Sequence, residues 1–80
     1  MNLDGKYIVD EKMTARIEND FSYHSPKDDQ PARYNAIREK ARELALMIAT
    51  YTPPSREQSV ALTNLETAVM FANASIARNE

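Results

Sequence analysis

The sequence predicts an all-α fold: an antiparallel two-helix hairpin with a short N-terminal helix, assembled as a compact homo-oligomer. Two long stretches carry apolar residues at alternating spacings of three and four, and a Pro-Pro-Ser turn separates them. The second stretch bears more apolar surface than one partner helix can cover. Composition agrees, with 42% hydrophobic residues, 28% charged residues and one glycine in 80, which suits helices better than a disordered chain or a turn-rich barrel. Cysteine is absent, so disulfides and thiolate metal sites cannot support so small a domain, and stability must come from packing.

Residues 1–80 read as one domain. In its N-terminal segment, 1–20, Glu11 to Asp20 predicts a short helix with Met13, Ile17 and Phe21 along one side. Tyr7, Ile8 and Val9 have strand-like character but no partner strand. Residues 31–52 predict the first long helix, with Tyr34, Ile37, Ala41, Leu44, Ile48 and Tyr51 on one stripe. Asp28 or Asp29 supplies its N-cap, and Pro31 loses nothing in a first turn by lacking an N–H. Pro53 and Pro54 end it, because Pro54 pushes Pro53 out of the α region.

Residues 55–78 predict the second long helix, opened by a capping box in which Ser55 and Gln58 each satisfy the other's backbone donor. Its stripe of Leu62, Leu65, Val69, Ala72 and Ile76 can face the first across the hairpin. Met70, Phe71, Ala74 and Ala77 lie off that stripe, in a run from Ala68 to Ala77 without a charge. A two-helix hairpin alone buries too little area to offset its conformational entropy, so this surface predicts an interface between copies.

Ten basic and twelve acidic residues give a net charge of −2, which argues against holding duplex nucleic acid through counterion release. The balance is uneven, because residues 31–51 hold four bases and two acids. No window approaches the apolar length of a membrane span, and Met1 to Asp10 contains no signal-peptide core, so a soluble intracellular protein is expected. His24 is the only histidine, which makes a metal site improbable; no cofactor is expected, and no nucleophile elbow, Walker loop or HExxH motif occurs. Ser25 beside His24 is a chain neighbour rather than evidence of a nucleophile and base. The chain is therefore not expected to be an enzyme.

Phe21, Tyr23, His24 and Lys27 in the loop precede Arg33, Arg38, Lys40 and Arg42 on the first helix. Aromatic rings stack on bases while Arg and Lys pair with phosphates, so the mixture suits a nucleotide with exposed base faces. A purely structural alternative has Phe21 and Tyr34 plugging the open end of the hairpin, with the cations offset by Glu39 and Glu43. Asn73, in the uncharged run, needs hydrogen-bond partners if buried, either on another copy or on a ligand. Arg78 stands near the helix C-terminus, where the macrodipole favours a cation.

The runs FSYHSPKDDQPARYNAIREKARELA and PPSREQSVALTNLETAVMFANASIARNE resemble the Acb2/Tad1 helical-hairpin family of phage inhibitors of CBASS and Thoeris immunity. The resemblance covers residues 21–80 and implies a sponge, which binds cyclic oligonucleotide second messengers without cleaving them. Acb2-like members are implied to be homohexamers that hold cyclic dinucleotides between pairs of protomers and cyclic trinucleotides at three-fold sites. Tad1-like members sequester cyclic ADP-ribose isomers, and the short N-terminus here looks more like the Acb2 branch. Carried over by position, Tyr23, His24, Lys27 and Arg38 would form the dinucleotide pocket, and Asn73, Ala74 and Arg78 the three-fold pocket. Lys40 is also within reach of the loop, so the phosphate cation stays open among Lys27, Arg38 and Lys40. Phe71 stands where the family pattern often has Trp. The implied setting is the cytoplasm of an infected bacterium, with no membrane and no duplex nucleic acid as partner.

Overall fold

The computed structural model describes residues 5–80, and their secondary structure is three helices with no strand. These are α1 (Glu11–Asp20), α2 (Gln30–Tyr51) and α3 (Arg56–Asn79). The reading that Met1 to Asp10 lacks a leader rests partly on residues 1–4, which lie outside the described residues. Tyr7 and Ile8 form no ladder and are 89% and 99% exposed.

Each helix starts and stops where local chemistry dictates. Asp10 caps α1 by accepting the Met13 N–H at 2.7 Å. At the head of α2, Asp29 occupies the N-cap position, yet its side chain makes no capping bond. It pairs instead with Arg33 one turn on, at 3.1 Å. Asp28 adopts a positive φ of 53°, a conformation that Asp tolerates better than most side chains and that here turns the loop into the helix. At the far end, extended Thr52 stops α2, with its N–H and hydroxyl both donating to the Ile48 carbonyl, at 3.1 and 2.6 Å.

The Ser55 hydroxyl accepts the Gln58 N–H at 3.1 Å, which is one half of the expected capping box. The other half is replaced: Gln58 Nε2 donates to the Thr52 carbonyl and hydroxyl, each at 3.0 Å. The exposed end of α2 lies within reach of that amide and offers two acceptors, so Gln58 joins the two helices across the Pro53–Pro54 turn.

Helices α2 and α3 pack against each other, and the head of α2 meets the end of α3, so the two run in opposite directions. The half-buried seam consists of Tyr34, Ile37, Ala41, Ala45 and Ile48 against Leu62, Leu65, Val69, Ala72 and Ile76. The α2 stripe therefore departs from expectation at two positions. Leu44 and Tyr51 are 44% and 78% exposed, while the smaller Ala45 takes the seam position where α3 approaches.

No described hydrophobic residue is fully buried, and the one buried residue is polar Gln30, at 4% exposure. Met70 and Phe71 on α3 are 68% and 65% exposed. One chain thus forms a seam without closing a core, which leaves large apolar side chains exposed that a second molecule can cover.

Candidate functional site

The loop between α1 and α2 folds back over the end of α3. His24 is anchored at its base, with Nε2 hydrogen-bonded to the Asn19 carbonyl at 2.8 Å, and is half-buried. Tyr23 and Phe21 point away and are 84% and 87% exposed. Phe21 therefore does not plug the open end of the helix pair.

A concavity of about 280 Å³ opens beside the loop, lined by His24, Pro26, Tyr34, Arg38, Asn73 and Ala74, with Ala77 at its edge. It unites residues that the sequence assigned to separate pockets, His24 and Arg38 in one and Asn73 and Ala74 in the other. Two of its polar groups lack strong partners. Arg38 makes one long contact to Asn35 Oδ1, at 3.4 Å, and is in no ion pair among the described residues. Lys40 and Arg42, by contrast, are paired with Glu43 and Glu39 at 3.3 Å each. Asn73 Oδ1 is enclosed and has no hydrogen-bond partner, which for a buried amide is a costly state that a ligand or another copy can relieve.

The remaining candidates lie elsewhere. Lys27 does not line the concavity, and its Nζ donates to the main-chain oxygen of Glu80 at 3.2 Å. Arg78 lines a second hollow of about 280 Å³ with Asn19, Asp20, Phe71, Ala74 and Ser75. There it holds α1 to α3: Nη2 donates to the Asp20 carbonyl at 3.3 Å, and its own carbonyl accepts from Asn19 at 3.0 Å. Ala74 lines both hollows. Sequence reasoning missed Tyr34 as a site residue, although it lies one helical turn before Arg38 and so shares its face. Among the described residues no cluster of His, Asp and Glu is placed to hold a metal, and no helix is long and apolar enough to cross a membrane.

The Acb2/Tad1 hairpin domain matches this chain over residues 13–77. The chain belongs to the Acb2/Tad1 family. No significant match exists among curated proteins or among solved structures. In this Acb2/Tad1 chain the matched region includes every residue that lines the concavity, whereas Arg78 and Glu80 lie just beyond it.

Beyond the matched region, Glu80 joins the end of α3 to the head of α2. Arg33 grips its carboxylate with both terminal nitrogens, at 2.7 and 2.5 Å, and Gln30 Nε2 adds a bond at 3.2 Å. The Arg33 hydrogen bonds, then that of Gln30, hold the Glu80 carboxyl down to about 2 from the ordinary 4.5, and the same contacts raise Arg33. Because the folded value lies below the unfolded one, this stabilisation is complete above pH 4.5 and is lost as pH falls toward 2. A carbon NMR titration should place the Glu80 side-chain midpoint well below 4.5. A midpoint at the ordinary value would mean that the clasp does not persist in solution.

Proposed function

We propose that this chain is a phage anti-defence sponge that sequesters cyclic dinucleotides and cyclic trinucleotides without cleaving them, blocking CBASS signalling in the cytoplasm of the infected host. The convergence of Arg38 and Asn73 in one concavity carries the reading. A guanidinium without a carboxylate and an amide without a partner stand together, beside the imidazole of His24 and the ring of Tyr34. Those groups suit a phosphate, a base edge and a base face respectively.

The lining also favours binding over turnover. It contains no carboxylate, serine or threonine, and His24 Nε2 is engaged by the Asn19 carbonyl, so an activated nucleophile has no obvious source. The concavity of one protomer, about 280 Å³, is slightly below the usual range for small-molecule pockets. Completion by a second copy fits both that deficit and the exposed apolar face of α3.

In this reading the two long helices act as an antiparallel hairpin, assembled as a homohexamer. Tyr23, His24, Lys27 and Arg38 serve the dinucleotide and Asn73, Ala74 and Arg78 a three-fold trinucleotide pocket, the two sites meeting at the concavity that His24 and Arg38 share with Asn73 and Ala74. Ala74 lines both hollows, which would make occupancy of one felt at the other. Family membership equally supports a Tad1-like sponge for cyclic ADP-ribose isomers. An oligomeric helical module that docks on an acidic partner or nucleic acid through the basic face of α2 is the remaining alternative.

Isothermal titration with a cyclic dinucleotide, a cyclic trinucleotide and a cyclic ADP-ribose isomer separates these readings, with solution mass and chromatography of the recovered ligand alongside. Tight binding of intact nucleotide, near one dinucleotide per two chains, is the expected result. Linear product after incubation would refute the sponge. Heat from the ADP-ribose isomer alone would move the chain to the Tad1-like activity, and no heat from any ligand would favour the interaction module.

A further inference from the structure

Lys27, Gln30 and Arg33 form a cluster of donors at the head of α2, already occupied by Glu80. We propose that Glu80 is an internal competitor for an anionic ligand: a ligand phosphate displaces its carboxylate and takes Arg33 as a further phosphate contact beside the Arg38 concavity. This inference rests on the sponge reading and adds a regulatory contact to it.

The geometry is that of a preformed anion site. The Arg33 fork holds the carboxylate through two parallel bonds, at 2.7 and 2.5 Å, an arrangement that fits phosphate equally well. Gln30, 4% exposed, is fixed by the Lys27 N–H, which donates to its Oε1 at 3.1 Å, so its amide N–H is aimed before any ligand arrives. Arg33 Nε is enclosed and unpartnered, so the resident carboxylate does not satisfy the whole guanidinium. Asp29 pairs with Arg33 from within α2, at 3.1 Å, and can remain in place. The head of a long helix favours an anion here.

The resident carboxylate is also easy to displace. The side chains of Arg33 and Glu80 are 39% and 38% exposed, so solvent reaches the pair and its release requires no opening of the helices. Solvent screening weakens an ion pair this exposed, although its bidentate geometry holds it until another anion competes. Glu80 also caps α3, where the negative end of the helix disfavours a carboxylate. The clasp and the concavity lie at the same end of the helix pair, since Ala77 lines the concavity one turn before Glu80 and Tyr34 lines it next to Arg33 in sequence. Lys27 donates to the Glu80 main-chain oxygen rather than to its carboxylate, so it keeps the end of α3 in place while the side chain exchanges.

The test uses the full chain, cyclic di-GMP as probe, titration calorimetry for affinity and circular dichroism for helicity. Glu80→Gln should keep its helicity and bind the probe about fivefold more tightly than the parent. Adding Arg33→Ala to it should abolish that gain. Parent-level or weaker binding by a helical Glu80→Gln chain overturns the inference alone, since a purely structural clasp predicts that result. Absence of cyclic di-GMP binding by both chains overturns the inference, while the sponge reading stands or falls on the wider ligand set above. Should Glu80→Gln lose helicity, the parent chain decides: its Arg33 side-chain NMR signals must shift on saturation with the probe, and unshifted signals overturn the displacement.

Discussion

Phe71→Asp is expected to break the proposed homohexamer into smaller species while leaving the individual helices largely formed. Within one chain Phe71 is 65% exposed and Met70 beside it 68%, so neither contributes much to the α2–α3 seam. Burying a side chain of this size contributes about 1.5–3 kcal/mol, and a carboxylate placed in the same contact adds a desolvation cost. In a closed symmetric assembly the substitution acts at every copy of the interface, so its effect is multiplied. Light scattering coupled to size exclusion reads the outcome. An unchanged mass would show that this face is not the contact, and the groove between α2 and α3, lined by Ala41, Ala45, Leu62 and Leu65 with Arg38 and Arg42, would become the next surface to test.

Tyr23→Ala should weaken cyclic dinucleotide binding by about 1–3 kcal/mol for each base that stacks on the ring, roughly fivefold to 150-fold in affinity. Its effect on folding should be small, because Tyr23 is 84% exposed and covers little of its own chain. That exposure makes the substitution informative: a ring that covers little of the protomer can be removed without disturbing the fold. Binding is measured by titration calorimetry, and the oligomer by mass. Loss of the oligomer with the ring removed would place Tyr23 in a protein–protein contact and remove it from the ligand site. Undiminished binding by an intact oligomer would leave Tyr34, half-buried in the concavity, as the stacking surface.

Much of the helical architecture was legible because its causes are local. Pro31, Pro53, Pro54 and Ser55 act on backbone groups within one turn, and the structure begins α2, ends it and begins α3 within two residues of those positions. The failures share a cause in longer-range geometry. Instead of accepting from the Ser55 N–H, Gln58 donates to Thr52, six residues back, because the Pro-Pro turn placed two acceptors within its reach. Leu44 yielded the seam to Ala45, since an alternation of three and four does not specify which of two adjacent positions an approaching helix selects. Phe21, apolar and expected along the side of α1, remained exposed because nothing among the described residues covers it.

The sequence by itself determined three helices, their ends, the aromatic and basic loop, and membership of a family readable from long unbroken motifs. These depend on spacing and capping within a few residues, where physical cause and sequence position coincide. Only the tertiary structure decided that His24 and Arg38 share a concavity with Asn73, that Arg78 holds α1 to α3, and that Glu80 occupies the cations at the head of α2. Those contacts join residues some fifty positions apart, and their existence depends on how α2 and α3 pack, which local propensity does not encode.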